Sequence, residues 1–256
     1  MRHEWDLRPE MTLREARAGL VAELNDVLDS QDAAAVLEHA LRGFTGQVAM
    51  VSSFGADSAV LLHLVARIAP ETPVLFVDTL LLFKETLAYQ NELAAKLGLL
   101  DVRVIRGDAT VRRLSDPHDD LHLRAPDDCC YLRKTLPLQT ALIGFDGWIT
   151  GRKRHQTEAR ADMDVVELDS AGRIKFNPLA NWSAQDIDDY RTTHKLPPHP
   201  LVAQNYLSIG CAPCTQPVEE GADPRSGRWQ GQIKTECGIH FGPQGAVRRL
   251  AKETTT

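Results

Sequence analysis

Short apolar runs alternate with longer amphipathic stretches through the first half of the chain. Leu, Ala, Glu and Arg recur at helical spacing between about residues 12 and 43, which predicts two helices. Short runs rich in Val, Ile and Phe then predict buried strands separated by helical patterns. In order, the predicted elements are a strand at 47–52, a helix at 59–68, a strand at 73–77, a helix at 84–97 and a strand at 102–105.

The alternation predicts an α/β fold with an open, mostly parallel twisted sheet and helices on both faces. One more short strand is predicted at 147–151. Ser183 and Asp186 have the spacing of a capping box, so a helix is predicted to begin there and to end near Thr193. Pro and Gly become dense from Leu196 onward, which predicts loops and a loosely structured tail.

Composition is that of an ordinary globular protein, since 43% of the 256 residues are hydrophobic and 25% are charged. The N-terminus lacks the apolar core of a signal peptide, and no stretch is long and apolar enough to span a bilayer, so a cytoplasmic location is predicted.

A net charge of −6 argues against a nucleic-acid surface, which is normally basic. Local basic groups can still bind an anionic small molecule. These groups are Arg133–Lys134, Arg152–Arg154 and Arg225–Arg228.

Polar turns follow the first two predicted strands. Because open parallel sheets bind ligands beyond the carboxyl ends of their strands, both turns are candidate binding loops. The first turn also precedes a helix, whose N-terminal amides and dipole favour an anion such as phosphate or sulfate. It lacks the ending of a Walker A loop, and simple helix capping by Asp57 or Ser58 is the alternative. The candidate residues are Ser52, Ser53, Phe54, Gly55, Asp57 and Ser58 in the first turn, and Asp78 and Thr79 in the second.

The five cysteines divide into two close pairs and one separate residue. Because a reducing cytosol disfavours disulfides, clustered thiols are more often metal ligands or redox-active groups. Four thiolates suit either a tetrahedral zinc ion or a four-iron cluster, and the adjacent pair favours the larger cluster, which offers separate metal corners to both thiolates. Unrelated buried cysteines are the structural alternative. The pairs are Cys129 with Cys130 and Cys211 with Cys214, and Cys237 stands alone.

Several of these segments together resemble one enzyme family. The turn 53–58 resembles the modified phosphate loop of the adenine-nucleotide alpha-hydrolase superfamily, which includes the sulfonucleotide reductases. The run 129–138 is similar to the Cys-Cys-x-x-Arg-Lys-x-x-Pro-Leu segment of bacterial and plant adenylylsulfate reductases. The segments 211–214 and 236–240 match the same family in the same order. The resemblance covers roughly residues 45 to 240.

The resemblance implies thiol-dependent reduction of adenosine 5′-phosphosulfate (APS) to sulfite and AMP in assimilatory sulfate reduction. In such a reaction Cys237 would attack the sulfate sulfur to form an S-sulfocysteine, and thioredoxin or glutaredoxin would then release sulfite. The four paired cysteines would hold a [4Fe-4S] cluster that tunes the electrostatics near Lys134 and does not shuttle electrons. The further substrate contacts that the resemblance implies are Lys134, Arg154, Arg160, Arg225, Arg228 and His240.

Three other functions are compatible with parts of this pattern. Reductases of 3′-phosphoadenylylsulfate (PAPS) use the same nucleophile, but they generally lack the four paired cysteines. An ATP-dependent tRNA thiolation enzyme of the same superfamily would need a basic surface, which the net charge of −6 disfavours. A zinc-stabilised nucleotide-binding module would make Cys237 incidental.

The predicted organisation has three parts. Residues 1–45 form a helical N-terminal extension, residues 46–205 form the nucleotide-binding α/β domain, and residues 206–256 form the cluster-ligand loop and a mobile catalytic tail. The expected partners are APS and a thioredoxin-type reductant, with no nucleic acid and no membrane. The sequence leaves open whether the chain forms a homo-oligomer.

Overall fold

The computed structural model describes residues 12–230 and Lys234. The strands in this part of the chain are β1 (Val48–Ser52), β2 (Val74–Val77), β3 (Val102–Ile105), β4 (Gly147–Ile149), β5 (Val166–Leu168) and β6 (Ile174–Phe176). They form one six-stranded sheet in the order β3-β2-β1-β4-β6-β5. Every neighbouring pair is parallel except β5 and β6, which are antiparallel. The prediction of an open, mostly parallel α/β sheet is therefore confirmed.

Helices pack against both faces of this sheet. The α-helices of the described residues are α1 (Leu13–Leu28), α2 (Ala33–Glu38), α3 (Ser58–Ile68), α4 (Lys84–Leu97), α5 (Ala109–Ser115), α6 (Leu121–Arg124), α7 (Pro126–Cys130), α8 (Leu136–Ala141) and α9 (Ala184–Thr193). Because successive strand residues point to opposite faces, the central strands contribute to two cores. Ala49, Leu75 and Trp148 pack with Leu138 of α8, whereas the next residue of each strand packs with α1 to α4 and α9. None of the described helices combines the length and apolarity that crossing a membrane requires.

Most element boundaries agree closely with the sequence pattern. The ranges of α4 and β3 are as predicted, and α9 ends at Thr193 as predicted. The predicted capping box is present: the Ser183 hydroxyl accepts from Asp186 N at 3.1 Å, and the Asp186 carboxylate accepts from Ser183 N at 2.7 Å. β4 ends at Ile149, two residues short of the predicted 151.

The sequence pattern does not predict the hairpin of β5 and β6. Each strand has only three residues, and Glu167 and Lys175 interrupt the apolar pattern. In the fold these two side chains pair, with Lys175 Nζ lying 3.2 Å from Glu167 Oε2. The pKa of Lys175 is lowered to about 8, first by burial and then by the nearby charge of Arg152, while Glu167 opposes the shift. Because each strand is short and carries one member of this ion pair, the sequence shows no alternation of apolar and polar residues that would indicate a strand.

The N-terminal helices belong to the core of the sheet. Leu24 and Leu28 of α1 and Leu37 of α2 are buried in the larger core. Asn25 covers the edge of the sheet, because its amide nitrogen donates to the Val166 carbonyl at 2.8 Å and its amide oxygen accepts from Val166 N at 2.9 Å. An edge that is covered in this way is protected from pairing with another chain. The predicted division of the chain at residue 45 stays a prediction.

The strand order reverses between β1 and β4, because β2 and β3 lie on one side of β1 and β4 lies on the other. Ligands of open α/β sheets bind in the crevice at such a reversal, beyond the carboxyl ends of the strands. This crevice lies between Ser52, where β1 ends, and Ile149, where β4 ends. The fold therefore places the first predicted binding turn at the crevice.

Candidate active site

The turn between β1 and α3 is held in a strained conformation. Phe54 has a φ of 48°, a left-handed backbone that bulky residues rarely adopt. Its buried ring packs edge-on against Phe76 with 5.2 Å between ring centroids, and its N–H donates to Ser52 Oγ at 3.2 Å. Such strain persists only where the surrounding packing enforces it, and it clusters at ligand sites. The predicted 52–58 turn is thus a fixed loop at the crevice.

The loop after β2 connects the sheet to the cysteines. The buried Asp78 carboxylate accepts from Arg106 Nε and from Leu80 N, each at 2.9 Å. The Thr79 hydroxyl lies 3.2 Å from Cys211 Sγ, within hydrogen-bonding distance for sulfur. Thr79 therefore joins the end of β2 to the second cysteine pair.

The segment that carries Cys211 packs against both polar loops. A backbone bridge joins Cys211 to Leu82, and Ala212 N donates to the Leu81 carbonyl at 2.8 Å. Ile209, just before this bridge, packs with Ala56 of the first turn. The second cysteine pair consequently lies beside the two loops that the sequence predicts as ligand contacts.

The two cysteine pairs lie close enough to interact electrostatically. Burial, and then the charges of Cys211 and Cys214, raise the pKa of Cys129 to about 11. The positive charges of Arg133 and Lys134 oppose this rise. Thiolates at these positions need compensating positive charge of the kind that a bound metal supplies. Cys129, Cys130 and Cys211 are buried, and Cys214 is half-buried.

Arg133 is a buried cation that ties the first cysteine segment to the loop after β2. Its side chain is 3% exposed and donates to Asp116 Oδ2 at 2.7 Å, to Asp119 Oδ1 at 2.6 Å and to the Thr79 carbonyl at 3.2 Å. Burial acts to raise the pKa of the Asp116 carboxyl, but hydrogen bonds from Arg133 and from Leu121 N hold that pKa below its usual range. The ion pair therefore keeps Asp116 ionised inside the protein.

Three cations surround the ring of Trp229. The guanidinium carbons of Arg228 and Arg225 lie 4.4 and 5.9 Å from the ring centroid, and Lys234 Nζ lies 5.7 Å from it. Trp229 has a left-handed φ of 49°, and its backbone N–H donates to the Cys214 carbonyl at 3.1 Å. Two of the predicted basic contacts are thus gathered next to the second cysteine pair.

Two close contacts fix this basic group. A Cβ atom at Gly210 would lie 2.3 Å from Arg228 Nη2, so a larger residue there would displace the guanidinium from this position. Lys234 Nζ forms an ion pair with Asp127 in the first turn of α7, just ahead of the first cysteine pair. Lys234 therefore anchors the chain near that pair, three residues before the predicted nucleophile Cys237.

The structure does not bring every predicted contact residue to the crevice. The Arg154 guanidinium donates to Asp29 Oδ1 at 2.8 Å, at the end of α1, and to the Met163 carbonyl at 2.7 Å. Arg160 is buried within the loop that follows β4. The roles of these residues stay predictions. Two further predicted site residues, Cys237 and His240, lie outside the described residues.

Sequence reasoning missed two residues that the structure places at the site. Lys153 Nζ lies 3.1 Å from Asp57 Oδ2 in the first turn, whereas the prediction from the same basic run is Arg154. Arg133 is predicted only as part of a basic pair, although it links the first cysteine segment to the loop after β2. The basic runs in the sequence indicate that a cation lies near the site. Which side chain of a run points into the crevice depends on where the preceding strand or helix ends.

Residues 47–217 match the phosphoadenosine phosphosulfate reductase domain. This chain belongs to that family. A relative from Chelativorans sp. (strain BNC1), named adenosine 5′-phosphosulfate reductase, is 50% identical over 221 residues, which cover 86% of this chain and 90% of the relative. A relative from Gloeobacter violaceus, named phosphoadenosine 5′-phosphosulfate reductase, is 40% identical, covering 80% of this chain and 87% of the relative. The predicted membership of the sulfonucleotide reductases is confirmed.

A solved structure agrees with this placement. The phosphoadenylyl-sulfate reductase from Candida auris, determined as a phosphate complex, superposes with a TM-score of 0.65 at 27% identity. The match covers 77% of this chain and 96% of that one. The sheet and its crevice are therefore features that this family member shares with a solved reductase.

The surroundings of the four cysteines fit a soft metal group. A donor set of thiols alone selects zinc or an iron–sulfur cluster. Arg228 Nε and Trp229 Nε1 are buried donors without a hydrogen-bond acceptor among the described residues, and such donors suit an electron-rich group. In the same part of the chain, no three His, Cys, Asp or Glu side chains form a group that could hold a metal ion. That these cysteines hold a metal group, and which one, is consequently a matter of proposal.

Proposed function

We propose that this protein is an APS reductase, which converts adenosine 5′-phosphosulfate to sulfite and AMP in assimilatory sulfate reduction. The observation that carries the proposal is the 3.2 Å contact between Thr79 Oγ1 and Cys211 Sγ, because it joins a thiol pair to the strand end where nucleotides bind in such sheets. Relatives that are named APS reductase, at up to 50% identity, support this substrate. The Gloeobacter violaceus relative, named PAPS reductase, makes the 3′-phosphorylated nucleotide the second candidate.

The substrate carries a phosphate and a sulfate, and the proposed site offers groups for both. The N-terminus of α3 would bind the phosphate, as helix N-termini bind anions. Lys134, Arg225 and Arg228 would bind the sulfate, since each lies beside a cysteine pair. The remaining proposed contacts are Ser52, Ser53, Phe54, Gly55, Ser58, Asp78, Thr79, Arg154, Arg160 and His240, together with the backbone amide of Asp57.

The proposed chemistry uses Cys237 as the nucleophile. Its thiolate attacks the sulfate sulfur, a sulfur–sulfur bond forms, and the bond from sulfur to the phosphate oxygen breaks, so that AMP leaves with the electron pair. A dithiol protein, such as thioredoxin or glutaredoxin, then attacks Cys237 Sγ, and sulfite leaves with two electrons. The second thiol of the reductant resolves the mixed disulfide. Cys237 is thereby regenerated, and the reductant becomes a disulfide.

Residues of this chain would hold the proposed cluster and offset its negative charge at this site. Cys129, Cys130, Cys211 and Cys214 would hold the proposed [4Fe-4S] cluster, which supplies a fixed anionic charge beside the sulfate when it is bound. Lys134 would offset that charge and hold the sulfate, because its positive charge already acts on Cys129 in the protein. A cytoplasmic location and a thioredoxin-type reductant complete the proposal.

Product analysis tests the function directly. With a reduced dithiol protein as reductant, the purified protein is expected to release sulfite and AMP from APS in equal amounts. We expect kcat/KM for APS to exceed that for PAPS by at least about tenfold, which corresponds to about 1.4 kcal/mol of transition-state discrimination. Faster turnover of PAPS would assign the second candidate, and turnover of neither nucleotide would contradict both.

Iron analysis of a ligand variant tests the cluster. Cys211→Ser is expected to lose nearly all iron and acid-labile sulfide, together with visible absorption, because the hydroxyl is a poor ligand for iron in such clusters. Thr79→Val is the matched control, since it removes the oxygen next to Cys211 and keeps all four thiols; it should keep its iron. Colourless wild-type protein that contains stoichiometric zinc would overturn the cluster assignment.

A further inference from the structure

Lys153 lies at the crevice between the ends of β1 and β4. Its side chain is 2% exposed, and Nζ lies 3.1 Å from Asp57 Oδ2 and 3.3 Å from the Gly151 carbonyl. The ion pair therefore joins the chain that leaves β4 to the turn that leaves β1. A buried ammonium of this kind is expensive unless it is paired, so Asp57 is held firmly.

Asp57 occupies the N-cap position of α3 but does not cap the helix. Its backbone is helical, with φ −96° and ψ −4°, and its side chain makes no capping hydrogen bond. Asp32 behaves differently at the N-cap of α2, where the backbone is extended and the carboxylate accepts from Ala35 N at 2.8 Å. An Asp at an N-cap normally accepts from the first-turn amides in this way. The carboxylate of Asp57 is directed to Lys153 instead.

The displaced carboxylate matters because the N-terminus of α3 faces the crevice. Helix N-termini attract anions through their amides and dipole. A carboxylate that capped this helix would occupy those amides and repel a bound phosphate. We propose that Lys153 is a positioning residue for the nucleotide, which holds Asp57 away from the N-terminus of α3 so that the phosphate can bind there. This inference rests on the proposed function, since it takes the phosphate of the nucleotide as the ligand.

Substitution of Lys153 removes the group that restrains Asp57. In Lys153→Gln, the half-exposed Asp57 carboxylate is released to cap α3, and the affinity for AMP should fall by about tenfold. The KM for APS should rise by a similar factor, while kcat changes by less than about twofold, because the reacting groups are untouched. Lys175→Gln is the matched control: it removes another buried lysine, 4% exposed, that pairs with Glu167 on the β5–β6 hairpin. It should leave the affinity for AMP within about twofold.

A double variant separates positioning from direct contact. Lys153→Gln combined with Asp57→Ala has no carboxylate left to occupy the helix terminus, so most of the lost affinity for AMP should return. If Lys153 contacts the phosphate itself, the double variant will bind AMP as weakly as Lys153→Gln, and the inference is wrong. The double variant also carries no unpaired carboxylate at this turn, so it guards against a folding defect in the single variant.

Calorimetric titration with AMP provides the measurement, and far-UV circular dichroism checks that each variant folds. Wild-type protein that binds neither AMP nor APS would contradict the proposed function itself. Wild-type binding combined with unchanged affinity in Lys153→Gln would overturn only the positioning role.

Discussion

Cys237→Ser is expected to eliminate the protein-bound sulfonate that forms when the wild-type protein is incubated with APS in the absence of reductant. The thiolate is the reactive form of cysteine, and a serine hydroxyl stays protonated at neutral pH, so AMP release should fall by at least about a thousandfold. Because the substituted group is not proposed to bind the nucleotide, the affinity for AMP should change by less than about twofold. Intact mass spectrometry and peptide mapping measure the adduct, and titration measures the affinity.

The position of Lys234 makes this assignment structurally reasonable. Its ammonium pairs with Asp127 ahead of the first cysteine pair and lies 5.7 Å from the ring of Trp229. Three residues span at most about 11 Å, so the chain length after Lys234 is compatible with a role of Cys237 beside the basic group. Thr235→Ser is a conservative control in the same segment and should keep the adduct. An adduct that maps to a cysteine other than Cys237 would contradict the mechanism.

Arg133→Ala is expected to lower the free energy of unfolding by about 3–5 kcal/mol, because it leaves a buried carboxylate without its cation. The side chain of Asp116 is completely buried, and Arg133 is its ionic partner at 2.7 Å. Arg103→Ala is the matched control, since Arg103 pairs with Asp101 on the surface; it should cost less than about 1 kcal/mol. Urea unfolding at neutral pH measures both variants.

The pH dependence identifies the cause of this loss. The folded-state pKa of Asp116 is lowered, so its ion pair contributes stability above the ordinary carboxyl pKa, and that stability is lost as the pH falls through the lowered value. Without Arg133, burial still acts to raise the pKa of Asp116 and only backbone hydrogen bonds, such as that from Leu121 N, oppose it, so the variant accepts a proton more readily than the wild type. The stability difference between wild type and Arg133→Ala should therefore shrink as the pH falls. A difference that stays constant with pH would indicate lost packing as the cause.

Much of the fold follows from local pattern. The strands β1 to β3 and the helices α3, α4 and α9 are visible in the sequence because each has a regular period or a cap, as at Ser183. The hairpin of β5 and β6 is not visible, because Glu167 and Lys175 interrupt short strands and become tolerable only after they pair across the hairpin. A local sequence pattern reflects interactions between residues that are close in sequence. The pair of Glu167 and Lys175 forms only when the hairpin has folded.

The family also follows from the sequence. Adjacent cysteines, a second pair with proline between its members and a polar turn after a strand resemble the motifs of one family in the same order. The sequence thus determined the fold class, the family and the candidate thiols, and the family match over residues 47–217 confirms the first step toward function.

Only the tertiary structure decided how these groups are connected. Thr79 reaches Cys211 across 132 positions of sequence, and Arg133 reaches the loop after β2 from the segment between α7 and α8. Within one basic run, Lys153 turns into the crevice and Arg154 turns toward α1. Neighbouring side chains on an irregular backbone diverge, so their directions depend on where a strand ends and on which partner compensates a buried charge. Sequence order fixes the residue types, whereas the balance of burial and pairing in the folded protein fixes which residues meet.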